Sequence, residues 1–144
     1  MLRKIVTNRR ELSIPTEPIV SAEEVADIIV DLEESFSPLA NKGFGLAANQ
    51  IGIPKSVALM KVGGKRTILI NPKVIEKDER IKFSEGCFSF PGLTVLTDRY
   101  AYIKIENGLN KEIIEFRGIE AVVCQHELGH LQGKTIFDFK HKAR

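Results

Sequence analysis

Residues 125–130 read QHELGH, and no other stretch of this chain restricts its folding as much. Two histidines four positions apart face the same way on a helix, where i and i+4 differ by about 40° around the axis. A pair projecting from one face makes half of a metal site, because neutral imidazoles suit zinc, iron, nickel or copper. Glu127 sits beside that face and can reach a metal-bound water, acting as general base and then general acid. The chain has three histidines, and two of them fall in this H-E-x-x-H pattern, which weakens the alternative of two unrelated histidines beside a stray glutamate. The stretch therefore predicts a helix at 125–130 and a third ligand from elsewhere, since three protein ligands plus a water are usual in catalytic sites. Gly129 inside that helix is an anomaly, costing roughly 1 kcal/mol relative to Ala.

The residues after His130 do not supply the ligand by any known spacing. The extended pattern H-E-x-x-H-x-x-G-x-x-H would need a histidine at position 136, where Ile136 stands. His141 lies further off, and Asp138 belongs to no pattern. Upstream, Cys87 in SEGCFS is the best candidate. Gly86 beside it lets backbone approach a site closely, and a thiolate is a strong metal ligand. The alternative is that Cys87 is a small buried hydrophobe. Cys124 competes by proximity, but on a helix it points about 200° away from His126 and reads as packing.

Elsewhere the pattern is that of a mixed fold. Pro15 and Pro18 leave residues 1–20 irregular. Ser21 and Glu24 form a capping-box pattern, followed by Val25, Ile28, Ile29, Leu32 and Phe36 at helical spacing, a core stripe. Residues 41–54, NKGFGLAANQIGIP, read as a loop with strand edges. SVALMKV and RTILINP are two strands separated by a GGK hairpin. RIKFSEGCFSFPG, 80–92, reads as a short strand entering a bend. LTVLT and YAYIKIE alternate as strands, and NGLN turns the chain into KEIIEF. From Gly118 the period becomes helical, with Ile119, Val122, Val123, His126 and His130 on one stripe. The expected class is α+β, antiparallel sheets packed around a central metal-binding helix, with residues 1–144 forming one domain.

Composition excludes more than it assigns. A net charge of +2, from 21 basic and 19 acidic residues, gives no general reason to expect nucleic acid or an anionic membrane. The basic ends, LRKIVTNRR and FKHKAR, read as solvated termini. No apolar run approaches the roughly 18 residues of a membrane span, and the start lacks the apolar core of a signal peptide. Two cysteines in such a chain argue against a disulfide framework and for a reducing, cytoplasmic setting.

Three blocks now stand in order: GFGLAANQ (43–50), EGCFS (85–89) and QHELGH (125–130). Together they resemble the signatures of the peptide deformylase family, G-x-G-L-A-A-x-Q, E-G-C-L-S and H-E-x-D-H. Phe88 replaces Leu in the second block and Gly129 replaces Asp in the third. The resemblance spans roughly residues 21–138. It implies a metal-dependent hydrolase that removes the N-formyl group from the formyl-methionine of newly made polypeptides, releasing formate. Cys87, His126 and His130 would hold one divalent metal with water as the fourth ligand. That metal would be physiologically iron(II), with zinc, nickel or cobalt able to occupy the site. The donor set alone would suggest zinc. Glu127 would be the base and acid. The Gln50 amide and the Phe88 backbone N–H would stabilise the oxyanion, and Gly45 would belong to the catalytic loop. Phe44, Ile119, Val122 and Val123 are candidates for the methionine pocket, with core packing as the alternative. Glu85 and Arg99 are candidates for a pair that orients a ligand, with an ordinary surface ion pair as the alternative.

The short run after the metal helix resembles the compact deformylases encoded by viruses of bacteria. It lacks the C-terminal helix implicated in ribosome docking in most bacterial members. The expected partners are formyl-methionyl peptides, without nucleic acid or membrane, and the expected state is a monomer. Two rivals stay open at this stage. One is a metalloendopeptidase, from H-E-x-x-H alone. The other is a non-catalytic metal-binding descendant, for which only the changes at 88 and 129 speak.

Overall fold

Alternation along one strand organises the molecule. From Val95 to Asn107, positions 95, 97, 99, 103, 105 and 107 are all buried, because successive strand side chains point to opposite faces and this face meets the core. The structure, a computed structural model, describes residues 1–142. Among the described residues, six strands form two antiparallel three-stranded sheets. One holds β1 (Gly45–Ala47), β2 (Val57–Val62) and β3 (Lys65–Ile70), and the other β4 (Lys73–Glu85), β5 (Val95–Asn107) and β6 (Glu112–Arg117). Helix α1 spans Arg9–Leu12, α2 spans Ala22–Phe36 and α3 spans Ile119–Leu131. No helix among the described residues is long and apolar enough to cross a membrane.

Helix α2 starts where the capping pattern puts it. Glu24 turns back and accepts from the Ser21 and Val20 N–H groups at 3.1 and 3.0 Å, satisfying donors a helix start leaves free. Its stripe of Val25, Ile28, Leu32 and Phe36 is buried against Leu46, Ile51, Val57 and Leu59. Helix α3 is apolar on most sides, as a helix enclosed by both sheets must be. Ala121, Val123, Cys124, Leu128 and Leu131 join Ala58, Met60, Leu69, Ile103, Ile105 and Phe116 in a second cluster. The expected α+β arrangement around a histidine-bearing helix is the one observed.

Four local expectations are corrected. The strand expected to be short near residue 80 is the end of the 13-residue β4. VLT of LTVLT and all of YAYIKIE belong to one continuous β5, paired with β4 from Lys73↔Glu106 to Glu85↔Val95. Asp98 and Arg99 lie within the strand, with Arg99 turned inward and paired with Glu85. Residues 41–54 contain β1 and a 3-10 turn, Ala48–Ile51. The irregular N-terminal stretch contains α1, capped by the Asn8 side chain. The N-terminal basic end is also less free than expected: the Met1 amino group and Arg3 both pair with Asp31. In the C-terminal basic end, His141 faces Asp98 at 2.7 Å, and Ala143 and Arg144 lie outside the described residues.

Candidate active site

The site forms where α3 passes the turn after β4. His126 and His130 project together, with Nε2 atoms 3.2 Å apart, and Cys87 Sγ lies 3.3 Å from His130 Nε2. The three donors fall within 4.8 Å of one another. Ligand bonds of 2.0–2.3 Å in a tetrahedral site put donor atoms about 3.3–3.6 Å apart. The spacing thus fits one cation, and the soft sulfur with two imidazoles suits a first-row transition metal. Cys87 stands with the two histidines in a group that could hold a metal ion, the position its ligand reading requires. Cys124 is fully buried on another face of α3, where burial pushes its thiol up to about 12.

Behind the donors lies a buried ionic clamp. Arg99 donates from Nε and a terminal nitrogen to Glu85 at 2.6 and 2.8 Å, both side chains being almost wholly buried. Thr97 also donates to Glu85. Burial works against the Glu85 carboxylate, but Arg99 and then His126 outweigh it and hold the pKa at about 2. Glu85 Oε1 in turn lies 2.8 Å from His126 Nδ1. An ionised carboxylate only accepts, so Nδ1 carries a proton, and Nε2 is the ring nitrogen turned towards His130 and the Cys87 sulfur. The pair is no surface salt bridge.

Glu127 is buried, and its Oε1 has no hydrogen-bond partner. Burial raises its carboxyl to about 7, where a proton can be both taken and given near neutral pH. Gly45 makes the room: a β-carbon there would lie 2.7 Å from Glu127 Oε2 and from the Leu59 carbonyl oxygen. Gln50 sits in the 3-10 turn, not a loop. Its Oε1 accepts from Ala47 N–H at 3.0 Å, and its Nε2 donates to Ser89 Oγ at 3.1 Å and approaches Cys87 Sγ at 3.5 Å.

A cleft of about 560 Å³ opens onto these groups, lined among others by Phe44, Gly45, Gln50, Cys87, Phe88, Val122, Val123 and His126. Ile119 is not in it. As the first residue of α3 it is 47% exposed, because helical spacing sets a side chain's angle but not where the wall of the cleft ends. The Phe88 ring packs edge-on to Phe36 and over Gly43.

Other positioning residues were hidden in the sequence. Asn49 Nδ2 donates to the His130 carbonyl at 2.7 Å, fastening the 3-10 turn to α3. Gln125 bonds both backbone groups of Tyr100, fastening α3 to β5. These two, like Ser89, sit inside the quoted blocks, which is their only signal in the sequence. Thr97 and Phe139 have none of comparable strength.

A histidine-bearing helix between two antiparallel sheets, with three convergent donors that could hold a metal ion beside a cleft, has the form of an α+β hydrolase. Comparison with known proteins makes the class specific. The family model described as polypeptide deformylase matches residues 2–144, and the chain belongs to that family. It is 41% identical to the peptide deformylase of Aquifex aeolicus over 150 residues, covering 96% of this chain and 87% of that one. The Thermotoga maritima peptide deformylase superposes with a TM-score of 0.87 at 32% identity, covering 99% of both chains. The Ehrlichia chaffeensis enzyme in complex with actinonin gives 0.88 at 30% identity, covering 98% of this chain and 90% of that one.

Proposed function

We propose that this chain hydrolyses the formamide bond of formyl-methionyl N-termini on newly made polypeptides. One observation carries the proposal: three donors spaced for a single cation gather where a cleft reaches Cys87 and His126, and the residue next to His126 on the helix is a buried carboxylate with a partnerless oxygen. Cys87, His126 and His130 would hold that cation, iron(II) by the family resemblance and zinc, nickel or cobalt as substitutes. Bound there, the cation supplies Lewis acidity and makes water nucleophilic near neutral pH.

The chain's own groups do the rest. Glu127 takes the proton of the attacking water and delivers it to the leaving amine nitrogen. One C–O bond forms, the formyl C–N bond breaks, and formate and a free methionyl amine leave. Negative charge develops on the former carbonyl oxygen. The Gln50 amide, held by Ala47 and Ser89, and the Phe88 backbone N–H donate to it, each such donor being worth about 3–4 kcal/mol. The apolar part of the cleft, Phe44, Val122 and Val123, receives the methionine side chain. The reading puts the enzyme in the cytoplasm, where such chains are made.

The test is formate release from a formyl-Met tripeptide by protein loaded anaerobically with iron(II). Formate release without cleavage of unformylated peptides supports the proposal. Full metal occupancy without formate release overturns it, and internal cleavage of unformylated peptides would favour an endopeptidase.

A further inference from the structure

We infer that Phe139, from the short 3-10 turn after α3, is a positioning residue for the metal site, acting through Arg99. The inference rests on the metal-site reading above. Arg99 Cζ lies 4.5 Å from the centroid of the Phe139 ring, within the range at which a guanidinium is attracted to an aromatic face. The same guanidinium makes the two bonds to Glu85, and Glu85 holds His126 Nδ1. A relay therefore runs from ring to guanidinium to carboxylate to imidazole, ending on a ligand.

Two further observations show that the ring is seated there by design of the chain. Its other edge lies against Gly129: a β-carbon on Gly129 would be 3.2 Å from Phe139 Cε2. The glycine inside α3, a helix penalty on its own, thus provides the slot in which the ring lies. The segment is also pinned on both sides of the ring. Thr135 and Asp138 cap the turn, with Thr135 N–H donating to Asp138 Oδ2 at 2.8 Å. His141 N–H donates to the Leu96 carbonyl at 2.7 Å, and Lys140 bridges Thr97.

Buried ion pairs depend on geometry and on exclusion of water. A flat π face covers the guanidinium while leaving its in-plane donors to Glu85. An aliphatic side chain fills similar space without that attraction. The unsubstituted chain and the Phe139→Leu, Phe139→Trp and Phe139→Ala variants are titrated with cobalt(II) against a chelator, and their visible spectra recorded. Leu and Ala should weaken cobalt binding about tenfold and shift the ligand-field bands, as loss of a group that orients a ligand does. Trp should keep both near the unsubstituted values. Phe139→Leu with unchanged affinity and spectrum overturns the inference while leaving the metal reading intact. No cobalt binding by the unsubstituted chain overturns the metal reading and this inference with it. If Phe139→Ala does not fold, the Leu and Trp pair decides alone.

Discussion

Gly45 and Glu127 share one small volume: the Glu127 carboxylate lies where a side chain on residue 45 would have to be, with the Leu59 carbonyl closing the other side. Gly45→Ala must therefore displace Glu127 or open β1 from β2. Misplacement by about 1 Å can cost a hundredfold in rate. Formate release should fall by about that factor, while metal content, read by atomic absorption, stays at one equivalent. Unchanged kcat would disprove the steric assignment.

Glu127→Gln keeps the shape and hydrogen-bonding capacity but removes the base. Metal occupancy should stay normal and activity should drop at least about a hundredfold. Full activity in this variant would sink the proposed proton path.

The Glu85 clamp gives a signed pH dependence. Its folded pKa is about 2, below the ordinary 4.5. Its contribution is therefore present above about pH 4.5 and is lost as pH falls towards 2. A shift of that size corresponds to about 3 kcal/mol. Urea unfolding of metal-free protein and of Glu85→Gln should differ by roughly that much at pH 7, with the gap closing below pH 4. A gap constant down to pH 2 would count against the clamp.

The two cysteines should behave oppositely towards iodoacetamide. Cys87 is partly accessible and, once chelation frees it, should be alkylated. Cys124, fully buried with its thiol pushed up to about 12, should stay unmodified until the protein unfolds. Peptide mapping that found Cys124 modified first in folded, chelated protein would contradict the site geometry.

Ile119→Ser should be nearly silent. An exposed position outside the cleft alters free energies by about 0.5 kcal/mol or less, so kcat/KM for a formyl-Met peptide should change by no more than about twofold. A tenfold loss would return Ile119 to the pocket.

Local chemistry of the chain was enough for several features. The Ser21–Glu24 pattern marks the start of α2, the Gly63–Gly64 turn separates β2 from β3, and the i, i+4 spacing places His126 and His130 on one helical face. Each depends on neighbours within a few residues, so periodicity and capping reveal it. The order of the three blocks made the family legible, and with it Cys87 as the third donor.

What stayed out of reach depends on contacts between distant segments. Whether Arg99 is a surface charge or a buried clamp is decided by Glu85, its partner across the β4–β5 ribbon. Whether Ile119 meets substrate is decided by how far the cleft extends along α3, and it reaches Val122, Val123 and His126 but not Ile119. The meaning of Gly129 is decided by Phe139, ten residues on, which reaches it only because the turn after α3 folds back over β5. Burial, desolvation and steric exclusion are properties of a packed interior, so they arise only when segments far apart in the chain come together.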